Sequence, residues 1–185
     1  MRTRVLAVAA LAALSSSPAA AGKKAGVTMP GSVNVGGKKL VLNGMGIRQA
    51  TVFNINVYVA GLFLEKMSSD PASIIKSEQN KHLVLHFVRD VDRDDLVDAF
   101  EDGFENNGPS SLEPRVKKLI GWMSDVEVGD RIELTYVPKK GTTVSVGGKK
   151  KGSVDGADFA GTLLKIFVGP EPPNTSLKTG LLGKS

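Results

Sequence analysis

Residues 42–65 read LNGMGIRQATVFNINVYVAGLFLE. From Phe53 onward the chain alternates: Phe53, Ile55, Val57, Val59 and Phe63 fall on one side, and Asn54, Asn56 and Tyr58 on the other. Ala60, Leu62 and Leu64 continue the second side. Alternation of period two over so long a run predicts a β-strand. One of its faces suits a core, and the other starts polar and turns apolar. Gly61 in the middle marks a bulge or a close approach. One arginine, Arg48, stands just before this strand among small and flexible residues. A permanently charged guanidinium at the mouth of the most hydrophobic strand demands an acceptor, because burying an unpaired charge is costly.

The segments on either side carry their own signals. SVNVGGKKLVLNG (residues 32–44) predicts two strands joined by a Gly-Gly turn. KHLVLHFVRD (residues 81–90) repeats the strand pattern, with Leu83, Leu85 and Phe87 on one side and His82, Val84, His86 and Val88 on the other. DRIELTYVP (residues 130–138) and TTVSVGG (residues 142–148) predict two more strands around a Lys-Lys-Gly turn. Helices lie between them. Asp92 caps one through about Phe104, with Leu96, Val97, Phe100 and Phe104 at helical spacing and an acidic outer face. SSLEPRVKKLIGWM (residues 110–123) predicts a second, and a shorter helical turn fits residues 71–75. Asp155 caps a last helix with Phe159, Leu163, Ile166 and Phe167, ended by Gly169 and Pro170. EPPNTSLKTGLLGKS (residues 171–185) reads as a loose tail. The sum is an α+β domain, an antiparallel sheet with helices packed on one face.

The first 21 residues read differently. A basic start (MRTR), an apolar stretch (VLAVAALAAL) and an Ala-x-Ala ending form the layout of a secretory signal peptide, with cleavage expected after Ala21. The apolar stretch is shorter than the roughly 20 residues a membrane span needs. The expectation is an exported protein, periplasmic or secreted, with no transmembrane segment in the mature chain. Its domain would occupy residues 22–170. Loss of Arg2 and Arg4 with the leader lowers the net charge from +5 to +3. The lysines are paired in predicted turns rather than massed on one face with aromatics between them, so no nucleic-acid partner is expected. There is no cysteine, hence no disulfide and no thiolate chemistry.

Generic catalytic patterns are missing from the sequence. His82 and His86 share a strand face but stand about 13 Å apart, too far for one metal ion. No G-x-S-x-G elbow occurs, and VNVGGKK and VSVGGKK lack P-loop spacing. The eight acids between Asp90 and Glu105 read as a solvated helix face. No cofactor, metal ligand or catalytic residue is expected on these grounds.

The run N-G-x-G-x-R followed by V-Y-V-A-G-L-F-L, and the order of elements after it, resembles the chalcone isomerase fold, in particular its bacterial exported chalcone isomerase-like branch. The resemblance covers residues 26–169 and implies an open-faced β-sandwich, a large antiparallel sheet with helices packed on one face. It also implies a site. The family's enzymes use an arginine, hydroxyl groups and an asparagine to position a phenol adding to an enone. The arginine falls on Arg48, the strand threonine on Tyr58, the helix tyrosine on Leu96, the asparagine on Gly103 and the last helix's hydroxyl residue near Ile166. Most of that polar set is gone, which argues against chalcone isomerisation. A non-catalytic branch binds fatty acids and keeps the arginine with a tyrosine at the strand position, as Arg48 and Tyr58 do here. The resemblance therefore implies a small amphiphilic carboxylate as ligand, with Arg48, Tyr58, Leu96 and Ile166 as its site. The alternatives are an isomerase (intramolecular lyase) on another substrate, with Tyr58 as its proton donor or acceptor, and a structural or interaction protein of the cell envelope. In the last case Arg48 serves an internal carboxylate or loop carbonyls.

Overall fold

The computed structural model describes residues 21–50 and 53–184. The expected leader over residues 1–21 lies outside them except for Ala21. The elements in chain order are β1 (Gly22–Lys24), β2 (Val27–Met29), β3 (Ser32–Val35), β4 (Lys38–Ala50), β5 (Ile55–Leu64), α1 (Pro71–Lys76), β6 (Lys81–Phe87), α2 (Arg93–Asn107), α3 (Glu113–Ile120), β7 (Arg131–Val137), β8 (Gly141–Val146), β9 (Lys149–Val154), α4 (Ala157–Val168) and α5 (Thr175–Leu181).

β3 to β9 form one seven-stranded antiparallel sheet in simple chain order. Its helix side carries the main core, where Ala60, Leu62 and Leu64 of β5 and Leu83, Leu85 and Phe87 of β6 meet Phe100, Phe104, Phe159 and Leu163. Phe104 and Phe159 stack at 5.1 Å between α2 and α4. The alternation seen in β5 thus separates two buried faces. Val59 and Phe63 point the other way, into a smaller cluster closed by Val27 and Met29 from the β1–β2 hairpin. Gly61 sits under that hairpin with no register shift at that position: a Cβ there would lie 2.2 Å from the Met29 sulfur.

Two expectations need correction. Asp155 does not cap α4; the capping position is Gly156, whose φ of 105° an L side chain rarely adopts, and Asp155 lies one residue outside it. Residues 171–185 are not a loose tail. α5 forms within them, with Leu177 and Leu181 fully buried. A helix of seven residues is marginal alone, so its stability comes from docking. Gly44 and Gly46 of β4 and Gly180 of α5 make that contact possible: a Cβ on Gly46 would stand 2.1 Å from the Leu177 carbonyl oxygen, and one on Gly44 equally close to that of Gly180.

Candidate functional site

Arg48 of β4, Tyr58 of β5 and Phe87 of β6 are register partners across three adjacent strands. Residues directly opposite in antiparallel strands point to the same face, so the three side chains form a row on the helix side. Tyr58 meets Phe87 edge-on at 5.5 Å. Immediately after Arg48 the β4–β5 register slips, a bulge of the kind that re-aims a side chain at the end of a ladder.

Here α2 stands off the sheet and leaves a cavity of about 680 Å³. Its floor is the row just described. Leu96 and Phe100 of α2 and Ile166 and Phe167 of α4 wall it, and residues 171–173, between α4 and α5, close one side. The volume lies within the roughly 300–1,000 Å³ typical of small-molecule sites. All four residues expected at the site, Arg48, Tyr58, Leu96 and Ile166, line this one cavity, as does Gly103. A Cβ on Gly103 would meet the Ile166 side chain at 2.8 Å, so the position that the resemblance aligns with an asparagine has become the place where α2 and α4 approach.

The half-buried Arg48 is partly engaged by the protein. Its Nη1 donates to the carbonyls of Gln49 and Pro173, the latter at 3.0 Å. Among the described residues no carboxylate pairs with it, and Nε and Nη2 have no hydrogen-bond partner. Nor does the Tyr58 hydroxyl. Burial pushes the Tyr58 phenol well above its ordinary range, against the opposing pull of the Arg48 charge. Tyr58 is therefore a protonated donor at neutral pH. Two donors, one of them charged, face a cavity with apolar walls and a polar, largely acidic lining besides, and a donor pair of this kind can hold an anionic head group.

Parts of the rim were not foreseen. Asp90, Asp92, Asp95, Asp98 and Asp102, just before and along α2, also line the cavity, with Arg89 just beyond β6 and Glu171 after α4. Sequence reading treats these acids as a solvated face, and exposed they are; only the packing angle of α2 brings them to a rim. The two histidines have separate partners: His82 Nδ1 lies 2.8 Å from Thr135 Oγ1, and Arg131 Nε donates to His86 Nδ1 at 3.2 Å. Among the described residues no cluster of three or more His, Asp or Glu is placed to hold a metal ion, and no helix is long and apolar enough to cross a membrane.

Residues 21–183 match the family described as chalcone isomerase-like. The chain belongs to that family. The match extends through α5, so the C-terminal helix is part of the chalcone isomerase-like unit rather than an appendage. Among solved structures the chain is similar to a fatty-acid binding protein of Arabidopsis thaliana, with a TM-score of 0.72 at 16% identity over 88% of this chain and 96% of that one. At that identity the likeness shows the fold. No curated protein matches the sequence.

Proposed function

We propose that this chalcone isomerase-like protein binds a fatty acid or a similar amphiphilic carboxylate and does not transform it. One observation carries the reading: a half-buried guanidinium with Nε and Nη2 unpartnered among the described residues, beside the Tyr58 phenol, at the edge of a cavity of about 680 Å³ walled by Leu96, Phe100, Ile166 and Phe167. A carboxylate accepts from both donors. Charge-assisted bonds of this kind are worth about 1.5–3 kcal/mol each, and tail burial adds about 0.8 kcal/mol per CH₂. The tail thus sets affinity and Arg48 sets orientation. The raised pKa of Tyr58 suits donation to a carboxylate better than proton abstraction. The solved fatty-acid binding protein with the same fold supports this reading.

Native mass spectrometry of the purified protein with palmitate, for wild type and Arg48→Ala, tests it. Binding by wild type that falls at least tenfold in Arg48→Ala is the expected result. A wild type that stays empty sinks the proposal and leaves Arg48 as an internal ion for the Gln49 and Pro173 carbonyls. The proposal extends to location. The layout of residues 1–21 supports export, and the N-terminal sequence of protein recovered outside the cytoplasm should begin at Gly22.

A further inference from the structure

The backbone on either side of the cavity's arginine is held from behind by the C-terminal segment, chiefly by Asn174. Asn174 Nδ2 donates to the Ile47 carbonyl at 3.0 Å, and Asn174 Oδ1 accepts from the Gln49 backbone N–H at 3.3 Å. These are the two neighbours of Arg48 in β4. An amide that gives a hydrogen to one residue and takes one from the residue two places on reproduces the bonding of an adjacent strand. β3 pairs with β4 only at Lys38 to Val41, so it does not reach this part of the edge. Asn174 supplies the missing partner.

Its place in the fold makes this unusual. Asn174 stands at the N-cap position of α5, where an asparagine ordinarily accepts from its own helix. It makes no such bond. Its amide turns to β4 and donates as well to the Ser176 hydroxyl, which itself donates to the Ile47 carbonyl at 3.4 Å, and the preceding residue, Pro173, offers its carbonyl to Arg48 Nη1. α5 anchors this arrangement through its glycine contacts with β4 and the buried Leu177 and Leu181.

We propose that Asn174 is a positioning residue for Arg48. Together with the Pro173 carbonyl it fixes the backbone and one terminal nitrogen of the arginine. Nε and Nη2 are then left for a ligand's carboxylate. The orientation of the head group is set by the C-terminal segment, not by the apolar walls from α2 and α4. This rests on the binding reading above.

The test is calorimetric titration with two probes, palmitate and hexadecanol, which share a tail and differ in charge. Wild type, Asn174→Ala, Arg48→Ala and the double variant are compared. Asn174→Ala should weaken palmitate on the order of tenfold, the equivalent of one or two hydrogen bonds, and leave hexadecanol unchanged. In the Arg48→Ala background it should have no further effect on palmitate, the non-additivity expected of residues acting as a unit. Unchanged palmitate affinity in Asn174→Ala overturns the proposal. So does equal loss of both probes, which marks Asn174 as a wall or fold residue. A readout free of ligand accompanies these: the Arg48 Nη–Hη NMR signals, with Nη1 held by the Pro173 carbonyl, should move toward those of a freely rotating, solvated arginine in Asn174→Ala. If wild type binds neither probe, the binding reading fails, and an Arg48 signal unmoved by the substitution overturns the positioning role separately.

Discussion

Two register pairs on the helix side of the sheet are chemically alike and physically opposite. Arg48 faces Tyr58 across β4 and β5, and Lys81 faces Tyr136 across β6 and β7. Each is a cation beside a phenol. At the Lys81 end, α4 lies flush on the strands, with Ala160, Leu163 and Leu164 over the pair, and only about 10 Å³ remains open. Lys81 is 3% exposed; its Nζ donates to the Ser77 carbonyl at 2.6 Å and sits 5.1 Å from the centre of the Tyr136 ring. At the Arg48 end, α2 stands off and about 680 Å³ is open. A buried cation–tyrosine pair is therefore not by itself a binding site. What separates the two is whether a helix covers the pair and whether the cation's donors are used up at home.

The comparison can be broken or sharpened at several points. The largest effect is expected from Gly46→Val. Its new side chain meets the backbone of Leu177, which cannot yield as a flexible side chain would. α5 should lift away with residues 171–174, at a cost of about 3 kcal/mol or more in urea unfolding, and the open end should lose its wall. Leu96→Trp should make the open end resemble the closed one. It fills the cavity from α2, so palmitate affinity should fall on the order of a hundredfold, while stability changes by less than about 2 kcal/mol because the space already exists. A variant that binds as well as wild type would place the ligand elsewhere.

The closed end has a pH signature. Burial lowers the Lys81 pKa to about 8, against the opposing Glu78 charge. An unfolded lysine keeps its proton to about 10.4. Between these values the unfolded state binds more protons, so stability rises with pH. Above about pH 10 the raised pKa values of Tyr58 and Tyr136 work against it. Urea midpoints measured from about pH 7 to about pH 10 should climb in wild type and stay flatter in Lys81→Met. A flat wild-type profile would mean that Lys81 is better solvated than its burial implies. The smallest effect belongs to Tyr58→Phe. Among the described residues the hydroxyl has no partner, so stability should not change, while palmitate affinity should drop severalfold for one lost bond of about 1 kcal/mol.

Much of this architecture is legible in local pattern. The period-two run of β5, the Gly-Gly turn before β4 and the apolar spacing of α2 report their elements because each depends on neighbours in sequence. Arg48 stood out for a similar reason, as a charge at the mouth of an apolar strand, whereas Tyr58 was singled out by the family resemblance. Failures occur where an element depends on a distant surface. α5 has two core leucines, Leu177 and Leu181, in a glycine-rich, proline-led segment, and nothing local marks it as a helix. Its stability lies in a surface of β4 made smooth by Gly44 and Gly46, more than 120 residues earlier in the chain. Asn174 looked like an ordinary loop residue for the same reason.

The sequence alone thus determined the strand and helix periods of most elements and the antiparallel class of the sheet, since side-chain alternation and local sterics fix these, while the pairing of Arg48 with Tyr58 was implied by the family resemblance. Tertiary structure decided which cation–tyrosine pair stays open, where the acids of α2 point and what holds Arg48 in place. Those outcomes depend on how closely a helix approaches a sheet, and that distance is set by packing between residues far apart in the chain.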